Sequence, residues 1–290
     1  MSGGTQTTID PGAAPPRGRR RRIAVSGIVG GLLVVFWAAM AVIGPWIAPY
    51  DVGEIAGMDM FGGLSGEFPL GTDFMGRDML SRILVGARYT VGVALVATLA
   101  ASAAGTTLGL FAAARGGLAD AVLSRLLDAM ISMPSKMFAL VVVATFGSSI
   151  PVLIAMLAII YTPGCYRLAR SMAVNISAMD FVSVARARGE STAFIMRDEI
   201  LPNMVLPVLT DFGLRFVFVV LLLSGLSFLG LGIQPPNADW GSLVRENMGG
   251  LSYAAPAVLM PALAIATLTA GMNMLIDNLP GRRAGGGEGH

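Results

Sequence analysis

Residues able to do covalent chemistry are sparse in this chain. Cys165 is the only cysteine and His290 the only histidine, so neither an internal disulfide nor a Cys/His metal cluster can be built. The sequence holds no G-x-S-x-G, no H-E-x-x-H and no G-x-x-x-x-G-K-[ST] run, the residue sets of serine hydrolases, zinc proteases and P-loop nucleotide binders. The reading is of a chain that is not an enzyme, with no catalytic residues, no metal ligands and no cofactor of its own. What remains is charge in unusual company. Asp211 and Arg215 stand four apart in an apolar stretch and share one helical face. They read either as a self-paired couple near an interface or, with Ser227 further along, as the polar lining of a path or a partner contact. Asp73 and Asp78 bracket Arg77, and Gly71 and Gly76 allow tight backbone turns, which reads as a structured loop leading into an amphipathic helix at 76–85.

The elements that must position these groups follow from composition. Of 290 residues, 54% are apolar and 13% charged, against about 25% charged in a soluble domain. Mean hydropathy is +0.71. This excludes a soluble enzyme and a disordered chain and implies an all-α polytopic membrane protein. Charge-free runs cover 23–50, 89–114, 137–166, 216–238 and 247–276. The first is too long for the core of a cleaved signal peptide and reads as an uncleaved span. The third has turn chemistry at Gly147-Ser148-Ser149-Ile150-Pro151. Splitting it puts Arg167, Arg170, Arg186, Arg188 and Arg197 on the side of the N-terminal arginines, as the positive-inside rule prefers.

Six spans result, near 24–48, 86–113, 120–146, 150–170, 204–233 and 254–279, with both termini cytoplasmic. Residues 1–22 and 281–290 read as disordered tails, 23–50 as the first transmembrane helix, 51–85 as an extracytoplasmic loop with a short helix, and 86–280 as a core of five helices. Pro134 and Pro163 are expected to kink spans three and four, Arg125 to pair with Asp128, and Asp277 to be screened by Arg282 and Arg283.

The cytoplasmic segment 171–203 carries the most information. Its charges between Arg186 and Glu199 forbid a span. Apolar residues recur at Phe181, Val184, Ala185, Phe194, Ile195 and Ile200, which predicts two short amphipathic helices joined at Gly189. Small residues at Ala185, Ala187 and Gly189 suggest a shape for docking, and Leu201-Pro202-Asn203 opens the next span.

This segment resembles the EAA loop of permease subunits of ATP-binding-cassette importers. Ser183-Val184-Ala185 stands in the Glu-Ala-Ala place, Gly189 is the glycine, and Ile200-Leu201-Pro202-Asn203 closes the pattern. The 70–82 block and the run Gly225 to Pro236, followed by Trp240-Gly241, resemble the second permease of the dipeptide/oligopeptide/nickel branch. The resemblance implies a type I importer permease fold in a bacterial plasma membrane. It also implies a heterodimeric second permease, two ATP-binding subunits carrying ATP and Mg, and an extracytoplasmic binding protein, with no nucleic acid involved. ATPase coupling would fall to Ser183, Ala185, Arg186, Ala187, Gly189, Glu190 and Phe194. Gly71, Thr72, Asp73, Arg77, Asp78 and Trp240 would face the binding protein or the partner permease. The chain departs from the family at Ser183 and at Leu223, where relatives carry glutamate. Peptides are the leading substrate class. Nickel or another small solute, an ion-gradient-driven transporter and a membrane enzyme are the alternatives.

Overall fold

The computed structural model describes residues 25–253 and 255–279. Both expected tails, and the expected screening of Asp277 by Arg282 and Arg283, lie outside the described residues. The longest element is α2 (Met79–Arg115), which follows α1 (Val25–Ile47). Its 37 residues reach roughly 55 Å at 1.5 Å per residue, more than a bilayer core needs. The helix expected at 76–85 is therefore not separate. Asp78 caps α2, its carboxylate accepting from the Ser81 amide at 2.8 Å and the Ser81 hydroxyl at 2.6 Å, and no helix breaker intervenes before Gly116.

Close approach between α2 and α5 (Ile150–Ser177) organises the bundle. Gly105 and Gly109 form a G-x-x-x-G pair. A Cβ on Gly105 would stand 2.5 Å from the Cys165 Cβ, and one on Gly109 would stand 2.8 Å from the Arg170 amide nitrogen. Lipid tails are as apolar as leucine, so spans associate through such backbone contact rather than through hydrophobicity. The outer helix α1 uses the same device. A Cβ on Gly30 would stand 2.6 Å from the Gly271 carbonyl oxygen, and one on Gly44 2.5 Å from that of Leu84.

The expected third span is broken, not kinked. Helices α3 (Gly117–Ile131) and α4 (Ser135–Phe146) meet at 85°. Pro134 cannot donate to the ladder, and it stands as the cap residue of α4 with extended backbone. Alone, the 12 residues of α4 reach only about 18 Å. Pro163, in contrast, sits inside an uninterrupted α5. That helix runs past its expected end at 170 because its arginines find partners on α3. Asp120 makes a two-pronged pair with Arg170, one arm at 2.6 Å, and Asp128 accepts from Arg167 at 2.7 and 2.9 Å. The partner of Asp128 is thus Arg167, not Arg125.

After α6 (Asp180–Ala187) and a turn, the chain enters one long rod: α7 (Thr192–Phe194), a π-helical turn (Ile195–Ile200) and α8 (Leu201–Phe228). The widened turn precedes Pro202, whose ring would crowd a regular ladder. Asn203 Nδ2 donates to the Glu199 carbonyl at 2.7 Å. So Pro202 continues a helix that began at 192 and does not open a span. Gly230, at φ +83°, stops α8, whose last residue Phe228 lies five short of the expected 233. The Gly230 amide bonds the Ser227 carbonyl and the Leu231 amide that of Leu226, a Schellman motif. A short helix, α9 (Trp240–Glu246), and α10 (Pro256–Asp277) complete the fold.

Among the described residues, five helices are long and apolar enough to cross a membrane, and six spans result if the bent α3–α4 pair counts as one. Replacing Gly105 or Gly109 by Ala should destabilise the α2–α5 contact by about 1–3 kcal/mol and lower the melting temperature in detergent. Gly92→Ala, in the same helix with open space around it, should be neutral or stabilising by up to about 1 kcal/mol.

Candidate functional site

The two motif blocks sit at opposite ends of α2. At its N-terminal end, the 70–82 block is a staple internal to the chain. Asp73 is fully buried and accepts from the Met75 and Arg77 amides at 2.8 and 2.9 Å, from Arg77 Nε at 2.6 Å and from Arg82 Nη1 at 2.5 Å. Arg82 also donates to Glu246 of α9 at 2.8 Å, and the Phe74 amide donates to Asn247 Oδ1 at 3.1 Å. Thr72 Oγ1 accepts from the Gly62 amide and donates to the Asp59 carbonyl, both at 2.8 Å. Gly71 and Gly76 take φ of +76° and +78°. A Cβ there would strike the carbonyl oxygens of Gly62 at 2.5 Å and Gly57 at 2.3 Å.

This corrects the sequence reading of the block as a partner surface. Thr72, Asp73 and Asp78 are turned into their own chain and leave no side-chain surface for a binding protein; of the charged trio only Arg77 is partly exposed. Trp240 is corrected too. It is 0% exposed, its Nε1 donates to the Ile83 carbonyl at 3.0 Å, and its ring meets Trp37 edge-on at 4.7 Å. The tryptophan locks α9 onto α2 and α1. Beside it, burial pushes the Asp239 carboxyl up from the ordinary carboxylate range. Ser227 is buried beneath Gly232, whose Cβ would collide with the serine hydroxyl, so it lines no open path.

At the other end of α2, α6 lies across the bundle. Val182 and Ala185 are fully buried against Leu110, Ala173, Ile195 and Met204. Ala185 therefore seats α6 on its own chain and does not offer a docking shape, as the sequence reading had it. The outward side carries Phe181 at 40% and Val184 at 55% exposure, with Ser183, Arg186, Ala187 and Arg188 also exposed. Arg186 also reaches the Ala114 carbonyl at the end of α2, at 3.4 Å. Phe194 is half-buried on α7 and Glu190 half-buried in the turn.

Gly189 has a role the spacing alone did not reveal. It sits at φ +80° with open space beside it. Its amide bonds the Arg186 carbonyl at 3.0 Å and the Glu190 amide bonds that of Ala185 at 3.2 Å. This is a complete Schellman stop. A glycine here ends α6 and turns the chain into the α7–α8 rod; it is required by backbone conformation, not by a neighbour's approach.

Between the two ends, Asp211 and Arg215 pair on one face of α8 as their spacing predicts, with Nη2–Oδ1 at 3.1 Å and Nε–Oδ2 at 3.2 Å. Arg215 borders a cavity of about 560 Å3 at the α3–α4 bend, together with Met133, Pro134, Tyr161, Gly164 and Arg167. Sequence reasoning missed Glu246, Asn247 and the Asp120–Arg170 pair. Their partners are far off in the chain, and no local pattern marks them.

The fold and these surfaces define a multi-span helical membrane protein with a stapled loop at one end of its longest span and a short, firmly seated surface helix at the other. Residues 105–284, more than half of the chain, match the model of the binding-protein-dependent transport system inner membrane component family, and the chain belongs to that family. It is 33% identical over 252 residues to a dipeptide transport system permease protein of Alkalihalophilus pseudofirmus, covering 87% of this chain and 83% of that one. It is 32% identical over 262 residues to a di/tripeptide transport system permease protein of Pseudomonas aeruginosa, covering 88% and 86%. It is 34% identical over 264 residues to a glutathione transport system permease protein of Escherichia coli, covering 91% and 86%. These similarities bear out the resemblance read from the three sequence blocks.

Two outcomes check the site's construction. Asp73→Ala leaves two guanidiniums, Arg77 and the buried Arg82, to share the single carboxylate of Glu246 and should cost about 3–5 kcal/mol, whereas Arg167→Ala at the exposed pair should cost under about 1 kcal/mol; thermal melting in detergent compares them. Gly189→Ala should raise hydrogen exchange across 180–190 about fivefold, the equivalent of about 1 kcal/mol, while Gly189→Asn, which tolerates positive φ, should change it less.

Proposed function

We propose that this chain is one permease subunit of an ATP-driven importer of small peptides. The observation that carries the substrate class is the extent of similarity, near nine-tenths of the chain, to permeases named for dipeptides, di/tripeptides and glutathione. A second permease completes the path, two ATP-binding subunits hold ATP and Mg, and an extracytoplasmic binding protein delivers the peptide. In this reading both termini and α6 face the cytoplasm of a bacterium, in agreement with the arginine distribution.

The geometry suits the transmission of force. The exposed side chains Phe181 and Val184 are the part of α6 that an ATPase groove can grip. The buried Val182 and Ala185 tie α6 to α5 and to the π-helical turn before α8, and the Gly189 stop fixes the angle at which the chain enters the rod that becomes α8. When ATP draws the ATPase subunits together, α6 moves with its groove, and the closely packed α2 and α5 turn with α8 as one body. Energy enters through the partner subunits, and this chain converts a displacement at one membrane face into a change of access along the path.

The test is uptake of radiolabelled dialanine, trialanine and glutathione into proteoliposomes holding the whole importer. Uptake should require internal or external ATP on the ATPase side and survive collapse of the proton gradient; loss with the gradient at constant ATP would refute the reading. The substitutions Phe181→Asp and Val184→Asp should cut uptake and binding-protein-stimulated ATP hydrolysis at least tenfold while the variants still purify with the second permease.

A further inference from the structure

The cavity at the α3–α4 bend is built around arginines held in an unusual way. Arg215 uses Nε and Nη2 on Asp211, and Arg167 uses Nε and Nη2 on Asp128. Each guanidinium is anchored along one edge, and no carboxylate among the described residues takes its Nη1. Both arginines border the cavity. The Nη1 of Arg215 lies over Gly164, where a Cβ would stand 2.6 Å away. Only glycine leaves room for the guanidinium in that position. Tyr161 closes one wall, its hydroxyl spent on the Phe218 carbonyl at 2.9 Å, and Met133, Pro134 and Phe138 supply apolar wall.

Charged groups inside membrane spans face protein or a watery cavity, not lipid, so this space belongs to a polar route. Its volume falls within the roughly 300–1,000 Å3 of small-ligand sites. Walls of this kind would receive apolar side chains, and pre-oriented guanidinium N–H groups would receive a planar anion.

We propose that Arg215, seated over Gly164 by Asp211, is a specificity-determining contact for the C-terminal carboxylate of a peptide in transit, with Arg167 the second donor. The inference rests on the peptide-importer reading and names the part of the substrate that this chain checks. Pairing with Asp211 serves two ends. It holds the guanidinium in place when the cavity is empty, and it tempers the charge so that the carboxylate is bound weakly enough to leave, as passage requires.

The experiment compares uptake of dialanine, trialanine and glutathione with uptake of their C-terminal amides, in proteoliposomes containing the complete importer. In the wild-type protein the free acids should be preferred. Two variants displace or remove the guanidinium without stranding a charge: Gly164→Ala, which pushes it aside, and the double substitution Asp211→Asn with Arg215→Gln, which replaces the ion pair by a neutral one. Each should lower the acid-to-amide uptake ratio about tenfold, the loss of one charge-assisted contact. Equal loss for acids and amides would make Arg215 a packing residue and overturn the inference, as would an unchanged ratio. A ratio that tracks the phosphatidylglycerol content of the vesicles would assign the cavity to a lipid phosphate and overturn it too. Failure of the wild-type importer to take up any of the three peptides would sink the peptide reading itself, an outcome distinct from a wild-type importer that transports acids and amides alike.

Discussion

A charge buried in a membrane protein must meet its opposite, because desolvation costs several kcal/mol per ion and lipid returns none of it. With 13% charged residues, the chain spends its few carboxylates on its arginines at the places where helices must be held. Asp73 and Glu246 share Arg77 and Arg82, and so join the loop before α2 to α9. Asp120 and Asp128 hold Arg170 and Arg167, and so tie the tilted α3 to α5. Asp211 holds Arg215 within α8. Remove the pairing and α2 could not begin within a buried ion cluster, nor could α5 carry Arg167 and Arg170 in its length.

The second constraint is distance between backbones. Glycines at 30, 44, 105 and 109 let helices touch where any Cβ would separate them. The two constraints cooperate at α5, where Gly109 lies against the Arg170 backbone while the Arg170 side chain reaches across to Asp120. The result is a rigid unit of α2 and α5 on which α6 can sit. Rigidity matters because a displacement at the surface helix is useful only if the spans follow it. The apolar pair Phe181 and Val184 is exposed on α6, and the buried pair Val182 and Ala185 joins that helix to the bundle.

Much of the architecture was legible from local signals. Long apolar runs marked the spans, the turn at 147–151 marked the break before α5, and the i, i+4 spacing predicted the Asp211–Arg215 pair. Side-chain direction was not legible. The motif resemblance places Asp73, Trp240 and Ala185 at partner surfaces, and all three are buried in their own chain. Their true neighbours, Arg82, Trp37 and Met204, are set by helix rotation and crossing, which no short window contains. For the same reason the break at Pro134 read as a kink. Proline removes a donor in either case, and only the neighbouring helices decide whether the chain bends a little or turns by 85°.

The sequence by itself determined that the chain is a helical membrane protein, roughly where its helices run, and which family its blocks resemble. Those properties follow from composition, period and local turn chemistry, each readable over a few residues. Which motif residues turn into the chain's own core and which stay exposed was settled only by the packing of the helices. The reason is that burial depends on contacts such as Arg82 with Glu246, 164 residues apart, whose geometry exists only once the helices have met.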